Sequence, residues 1–196
     1  MSPTAEATVV VVPGLRDHVP EHWQTLLAER LAAAGTAVQT VPPPTADKLS
    51  RTARVAALDA VLAGITGPVL IAAHSAGAVV TAHWAQDHRP DASPFRIRGA
   101  LLATPPDLTT PLPAGHPTFA ELERNGWLPV PRTPLPFPSL VAASSDDPLA
   151  APGYAAGLAR DWGSRVVELG AVGHLNPASG FGAWPRAEEL LHAAAA

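Results

Sequence analysis

VLIAAHSAGAVV, residues 69–80, decides how the rest of the chain is read. Apolar, partly β-branched residues run into Ala73-His74-Ser75-Ala76-Gly77, and an Ala/Val-rich stretch follows. A buried strand, a tight turn and a helix fit that order. The pentapeptide matches the G-x-S-x-G pattern of a strand-to-helix nucleophile turn, with Ala in the first position. Such a turn tolerates only small residues two before and two after the serine, and Ala73 and Gly77 both qualify. The helix behind it would point unpaired N–H groups and its positive dipole end at Ser75, which suits a developing oxyanion. The same letters also describe an ordinary serine N-cap. The pentapeptide leaves both readings open.

Working outward, short β-branched runs alternate with longer Ala/Leu segments. Strands are expected at 7–14, 37–42, 68–74, 97–104, 138–144 and 165–170. Helices are expected at 21–35, ended by Gly35, at 50–65 with Ser50 as N-cap, and at 75–88, 152–163 and 184–196. Nearly all-apolar strands separated by helices imply a parallel sheet covered on both faces. The expected fold is therefore α/β: six mostly parallel strands, doubly wound, forming one domain over residues 1–196 with no large lid domain. Ligands of such sheets bind beyond the strands' carboxyl ends, at the topological switch point. One region is unusual. Between 104 and 138 many of the 23 prolines cluster around a short helix near Phe119–Arg124; this reads as a functional loop or flap or as a stiff connection, and parts of it are expected to roof a shallow pocket.

Composition narrows the chemistry. A chain of 196 residues with 47% hydrophobic and 15% charged residues can bury one sizeable core. A net charge of −4 offers no basic stripe for nucleic acid and no polybasic membrane patch. The absence of cysteine excludes disulfides, thiolate catalysis and Cys-ligated zinc. The opening MSPTAEATVVVVPGL lacks the pattern of a signal peptide, and no apolar run is long enough for a membrane span. A cytoplasmic location is expected.

If Ser75 is a nucleophile, it needs a base and an orienting acid, which in this fold follow in the order Ser, Asp or Glu, His. SSDDPLAAP places Asp146 and Asp147 at the carboxyl end of the strand at 138–144. LGAVGHLNP places His174 beyond the last strand. One strand-helix-strand unit separates acid from histidine and returns the chain to the same sheet edge. Either aspartate could serve. Pro148 restricts Asp147 to extended backbone, which favours it, while Asp146 is better placed for an Asx-type turn. An oxyanion hole would combine the Ala76 N–H with one from PGLRD, namely Leu15, because Gly14 lets the chain turn into the site. Pro13-Gly14 also reads as an ordinary turn.

PGL (13–15), HWQ (22–24), HSAG (74–77), SSDDP (144–148) and GHLNPASGFGAWP (173–185) together resemble the small YdeN-like serine hydrolases. These are related to retinoblastoma-binding protein nine and belong to the α/β-hydrolase superfamily. The resemblance spans nearly the whole chain. It implies Ser75 as nucleophile, Asp147 as acid and His174 as base. Ala73 departs from the family's usual Gly, and His18 falls where many relatives carry Ser.

Other histidines invite a metal reading. His18 and His22 stand four apart, but no third ligand is in register. His22 is expected to hydrogen-bond near the first helix and Trp23 to pack in the core. His83 and His88 point to different helix faces. His74 should point away from the nucleophile and either support the catalytic residues from behind or simply pack. Asn176, Ser179 and Trp184 either line the site or fix the loop of His174.

The expected activity is cleavage of a small ester, thioester or amide through an acyl-enzyme, without cofactor or metal. The expected partner is a small-molecule acyl substrate; nothing supports a protein partner. Acyl transfer by the same residues, or a low-turnover binding or regulatory module, are the alternatives.

Overall fold

The valine run near the start of the chain forms β1 (Thr8–Val12), the second strand from one edge of a six-stranded sheet. In the computed structural model, residues 7–88 and 96–196 are described. Residues 1–6, which begin the stretch read for a signal peptide, lie outside them. The other strands are β2 (Val38–Thr40), β3 (Val69–His74), β4 (Ile97–Ala103), β5 (Ser139–Ala143) and β6 (Arg165–Glu168). Their order is β2-β1-β3-β4-β5-β6, and every neighbouring pair is parallel. Parallel neighbours cannot be joined by tight turns, so helices carry each crossover.

Those helices cover both faces, and the period-2 alternation of the strands feeds two cores. Val9, Val11, Leu70, Ala72, Leu101 and Leu140 face one side. There they meet Trp23, Leu27 and Leu31 of α1 (Trp23–Ala33) and Leu190 and Leu191 of α6 (Arg186–Ala193). Val10, Val12, Ile71, Ala73, Leu102 and Val141 face the other side. Val55, Leu58 and Leu62 of α2 (Arg51–Ala63), Val79 of α3 (Ala76–His88), and Leu158 and Trp162 of α5 (Tyr154–Trp162) pack against them. The α/β-hydrolase architecture expected from the sequence is what the chain adopts.

Element ends shift by one to three residues, for local reasons. Ser50 caps α2 as expected, its Oγ accepting from Ala53 N at 3.2 Å. Helix α1 begins at Trp23 instead of residue 21 because His22 takes the cap, its Nδ1 accepting from Gln24 N.

Part of the Pro-rich stretch between β4 and β5 is the stiff connection that its composition also allowed. Its short helix α4 (Phe119–Arg124) is closed by a Thr118/Glu121 capping box. The segment just beyond α4 is bolted to α2 and α3. Trp127 is fully buried and donates Nε1–H to Leu49 O at 2.7 Å. Arg51 N–H donates to Asn125 O, and His83 Nε2 contacts Trp127 O at 3.2 Å. Leu122 and Trp127 join the α2/α3 core, so this part is scaffold. Prolines punctuate the connection, but the buried aromatic decides where it sits.

The chain leaves β1 for β2 on one side and returns to β3 on the other, which puts the switch point beyond the carboxyl ends of β1 and β3. Gln24 of α1, buried, ties the two strands there. Its Nε2 donates to Val12 O at 3.1 Å and to Ala72 O at 2.8 Å. A buried amide is stable only with such partners, and here they are strand-end carbonyls.

Candidate active site

Ser75 follows β3 directly and adopts φ 56°, the left-handed region that costs an L-residue strain. Its N–H still donates to Ala103 O at 2.9 Å, which anchors the turn to β4. Helix α3 starts one residue later than expected, at Ala76. The two small positions of the motif are unequal. A Cβ on Gly77 would stand 2.2 Å from Val12 O, so no side chain fits. The methyl of Ala73 instead faces the α2/α3 core, fully buried among apolar neighbours. Ala at the first motif position is thus a core residue.

The three groups expected from separate strand ends meet. Ser75 Oγ lies 2.8 Å from His174 Nε2. His174 Nδ1 lies 2.9 Å from both Asp147 Oδ1 and Oδ2. A carboxylate on Nδ1 fixes the proton there, leaving Nε2 to accept from the serine hydroxyl. The side chains of His174 and Asp147 are only 6% and 4% exposed, so little water competes for the pair. Because Ser75 Oγ is committed to His174, it does not serve as a simple helix cap.

The two aspartates divide their work differently from expectation. The Asx-type turn belongs to Asp147, whose Oδ1 also accepts from Leu149 N at 2.9 Å. Asp146 instead reaches across to the histidine loop, its Oδ1 accepting from Gly173 N at 2.7 Å and from Ser144 Oγ. Pro148 explains the swap: it holds Asp147 extended where the strand ends, and the next N–H beyond it is that of Leu149.

His174 is held at both ends of its backbone as well. Its N–H donates to Ser179 Oγ at 3.0 Å, and Ser179 Oγ–H donates to Asn176 Oδ1 at 2.9 Å. Asn176 also caps the 3₁₀ turn Pro177–Ser179. The His174 carbonyl lies 2.9 Å from His74 Nε2, which donates to it. Asn176 and Ser179 therefore fix the loop, and Trp184 packs edge-on against Trp23 at 5.0 Å. His74 points toward α1, as strand alternation requires, yet its ring lies 4.5 Å from that of His22 and 5.0 Å from that of His174.

Burial keeps these neighbouring rings neutral. Desolvation first, and the His174 charge second, push His22 down to about 4. The same causes, with His22 added, hold His74 well below its ordinary value. A proton arriving at His174 is thus not opposed by a second imidazolium.

Gly14 approaches the serine closely: a Cβ there would lie 3.2 Å from Ser75 Cβ and 3.5 Å from Ser75 Oγ. Among the described residues, no backbone carbonyl takes the N–H of Leu15 or of Ala76. On the far side of Asp147 a cleft of about 180 Å³ is lined by Thr104, Ser144, Ser145, Gly153 and Glu168 among others, and neither Ser75 nor His174 lines it.

His18 and His22 do not pair. His18 Nδ1 faces Thr25 Oγ1 at 3.5 Å, and no group of three His, Cys, Asp or Glu that could hold a metal occurs among the described residues. His83 and His88 go separate ways, His88 Nε2 lying 3.7 Å from Asp59. Gln24, Asp146 and Arg54 carry roles that the sequence reading did not assign. A lone amide or guanidinium on an otherwise apolar helix face is the signal that could have found two of them. No helix among the described residues is long and apolar enough to cross a membrane.

Comparison with known proteins agrees with this architecture. The chain belongs to the serine hydrolase family, whose model matches residues 9–193. It is similar to a YdeN-like hydrolase of Pectobacterium atrosepticum, at 28% identity and TM-score 0.77 over 97% of this chain and 91% of the other. The ydeN gene product of Bacillus subtilis shares the fold at 17% identity and TM-score 0.67, over 96% and 98% of the two chains. Est1E of Butyrivibrio proteoclasticus shares it at 12% identity and TM-score 0.68, over 98% and 87%. A search of curated proteins finds no match. The chain is thus a hydrolase on the α/β-hydrolase fold.

Proposed function

We propose that this hydrolase cleaves a small ester, thioester or amide through an acyl-enzyme on Ser75. The observation that carries the reading is the unbroken line Ser75 Oγ–His174 Nε2, His174 Nδ1–Asp147, at 2.8 and 2.9 Å, from three separate strand ends. His174 takes the Ser75 proton as Oγ attacks the substrate carbonyl. Asp147 holds the imidazole tautomer and stabilises the imidazolium that forms. The N–H groups of Ala76 and Leu15 receive the developing oxyanion, each such donor contributing about 10²–10³ in rate. The proton then passes from His174 to the leaving group, and water, activated by the same histidine, releases the acid. No step calls on a cofactor or metal. Ser75 is half-buried and the fold carries no large lid domain, which suits small acyl groups or accessible chain ends.

A fluorophosphonate probe tests the assignment. The wild-type chain should take one label and Ser75→Ala none, with kcat on a short activated ester lower by about 10⁴–10⁶ in Ser75→Ala. His174→Ala should label far more slowly. Label persisting in Ser75→Ala would remove Ser75 as the nucleophile. A wild-type chain that neither labels nor hydrolyses activated esters would favour a binding module on this fold.

A further inference from the structure

We infer that Arg54 is a positioning residue of the oxyanion hole, acting through the Gly14–Leu15 peptide; the inference rests on the proposed roles of Ser75 and Leu15. Arg54 sits on α2 and is 7% exposed. Its Nη1 donates to Asp17 Oδ1 at 3.0 Å and to Gly14 O at 3.4 Å, while its Nε donates to Lys48 O at 2.8 Å. Gly14 O also accepts from Asp17 N at 3.1 Å, which closes a four-residue turn, and Asp17 takes φ 57° to do so. The carbonyl of Gly14 is thus gripped from two directions, one of them a buried cation.

A trans peptide holds its C=O and the following N–H antiparallel. Fixing Gly14 O toward Arg54 therefore points Leu15 N–H the opposite way. In a turn of this kind the second residue's N–H has no partner within the turn. Gly14 itself lies against Ser75, as the 3.2 Å approach of a Cβ placed on it indicates. Leu15 N–H then faces the serine, in place before any substrate arrives. A carbonyl that accepts from a guanidinium also polarises its amide, so the N–H on the other end becomes a stronger donor. Arg54 accordingly both orients and strengthens the donor without touching substrate.

The burial of Arg54 supports a positioning role over a stabilising one. A buried ion pair is rarely better for stability than well-packed apolar residues. Arg54 also leaves its Nη2 buried without a partner among the described residues. Stability alone would be served better by a methionine, whereas only a fork of donors can hold Asp17, Lys48 O and Gly14 O together.

The test compares Arg54→Met and Arg54→Lys with wild type, on a short ester and on its thionoester, with Ser75→Ala in the same series. Sulfur accepts hydrogen bonds weakly, so the ester-to-thionoester ratio of kcat/KM reports the oxyanion hole and not general damage. Rates of wild type and the Arg54 variants are expressed per fluorophosphonate-labelled site at complete labelling, which removes any unfolded fraction, and those of Ser75→Ala per folded chain by circular dichroism. Arg54→Met should lower ester kcat about 10–100-fold with KM nearly unchanged, and lower the ratio in step. Arg54→Lys, which keeps the charge but lacks the fork, should lower the ratio about 3–10-fold. A wild-type ratio in either variant, or ester and thionoester rates falling together, would overturn the role of Arg54. If Ser75→Ala kept label and activity, the nucleophile reading itself would fail. An inactive Ser75→Ala beside unchanged Arg54 variants would sink only the positioning role of Arg54.

Discussion

The turn that carries Ser75 and the loop that carries His174 reach the same point by different physics. Ser75 is placed by its own backbone: a strained residue between a fully buried strand and a buried helix, with Gly77 pressed against Val12 O. His174 is placed by polar side chains from elsewhere: Asp146 on Gly173 N, Ser179 on its N–H, His74 on its carbonyl. The first arrangement cannot change without disturbing the sheet. The second can loosen while the fold survives. That difference fits their tasks, since the nucleophile must stay rigid while the histidine must exchange protons with two partners.

Substitutions at the two regions should therefore fail in different ways. The largest effect is expected for Gly77→Ala, whose Cβ would stand 2.2 Å from Val12 O and 2.8 Å from Pro13 O. Val12 O ends β1 and is held there by Gln24 Nε2, so it cannot retreat without disturbing the sheet. A loss of more than about 4 kcal/mol of stability is expected, seen as insoluble or unfolded protein by circular dichroism. A folded, active Gly77→Ala would break the contrast.

Asp146→Ala should leave the fold intact and damage turnover instead. Freed from Gly173, the loop would let the imidazole drift, and misplacement of about 1 Å costs up to about 10²-fold. Stopped-flow acylation with an activated ester should show kcat lower by about 10–100-fold and a thermal midpoint within a few degrees of wild type. Unchanged acylation would mean that Asp147 alone suffices to hold the ring.

Acid should weaken the fold as a whole through the buried histidines behind both regions. Burial and neighbouring charge hold His22 and His83 at about 4, against 6.5 for the free group, and hold His74 well below its ordinary value. Between these values the unfolded chain binds protons that the folded chain does not. Stability is therefore full above about pH 6.5, falls as pH drops toward about 4, and levels as His22 and His83 protonate in the folded state. Urea midpoints at pH 7 and pH 5 measure this directly, and equal midpoints would contradict it.

The smallest effect is expected for Ala73→Gly, which restores the commoner motif. Removing a fully buried methyl from a strand should cost about 1–2 kcal/mol and leave kcat within about twofold. A faster enzyme would mean that Ala73 restrains the turn.

Much of this was legible beforehand, and the pattern of success is physical. β-Branched runs and Ala/Leu runs state their own periodicity, so six strands and their crossovers were readable, as was the helix at Phe119–Arg124. Ser50 announced its cap because capping is settled within three residues. The aspartates were harder. Asp147 makes the histidine contact, and it also makes the Asx-type turn expected of Asp146, because Asp146 finds a partner 27 residues away. The Pro-rich stretch allowed both a flap and a stiff connection, and around α4 it is scaffold because Trp127 bonds to Leu49 across 78 residues of chain.

By itself the sequence determined the features that neighbours along the chain control: strand, turn and helix around Ser75, the order Ser-Asp-His, and the need for small residues beside the serine. Tertiary structure alone decided which groups meet across 27 and 99 residues of chain, as His174 does with Asp147 and with Ser75. It also decided that Gln24 ties two strands, that Asp146 holds a loop and that Arg54 grips Gly14 O. The reason is range. Backbone preference and hydrophobic period act over a few residues, whereas a buried polar side chain is defined by whichever partner folding brings within about 3 Å.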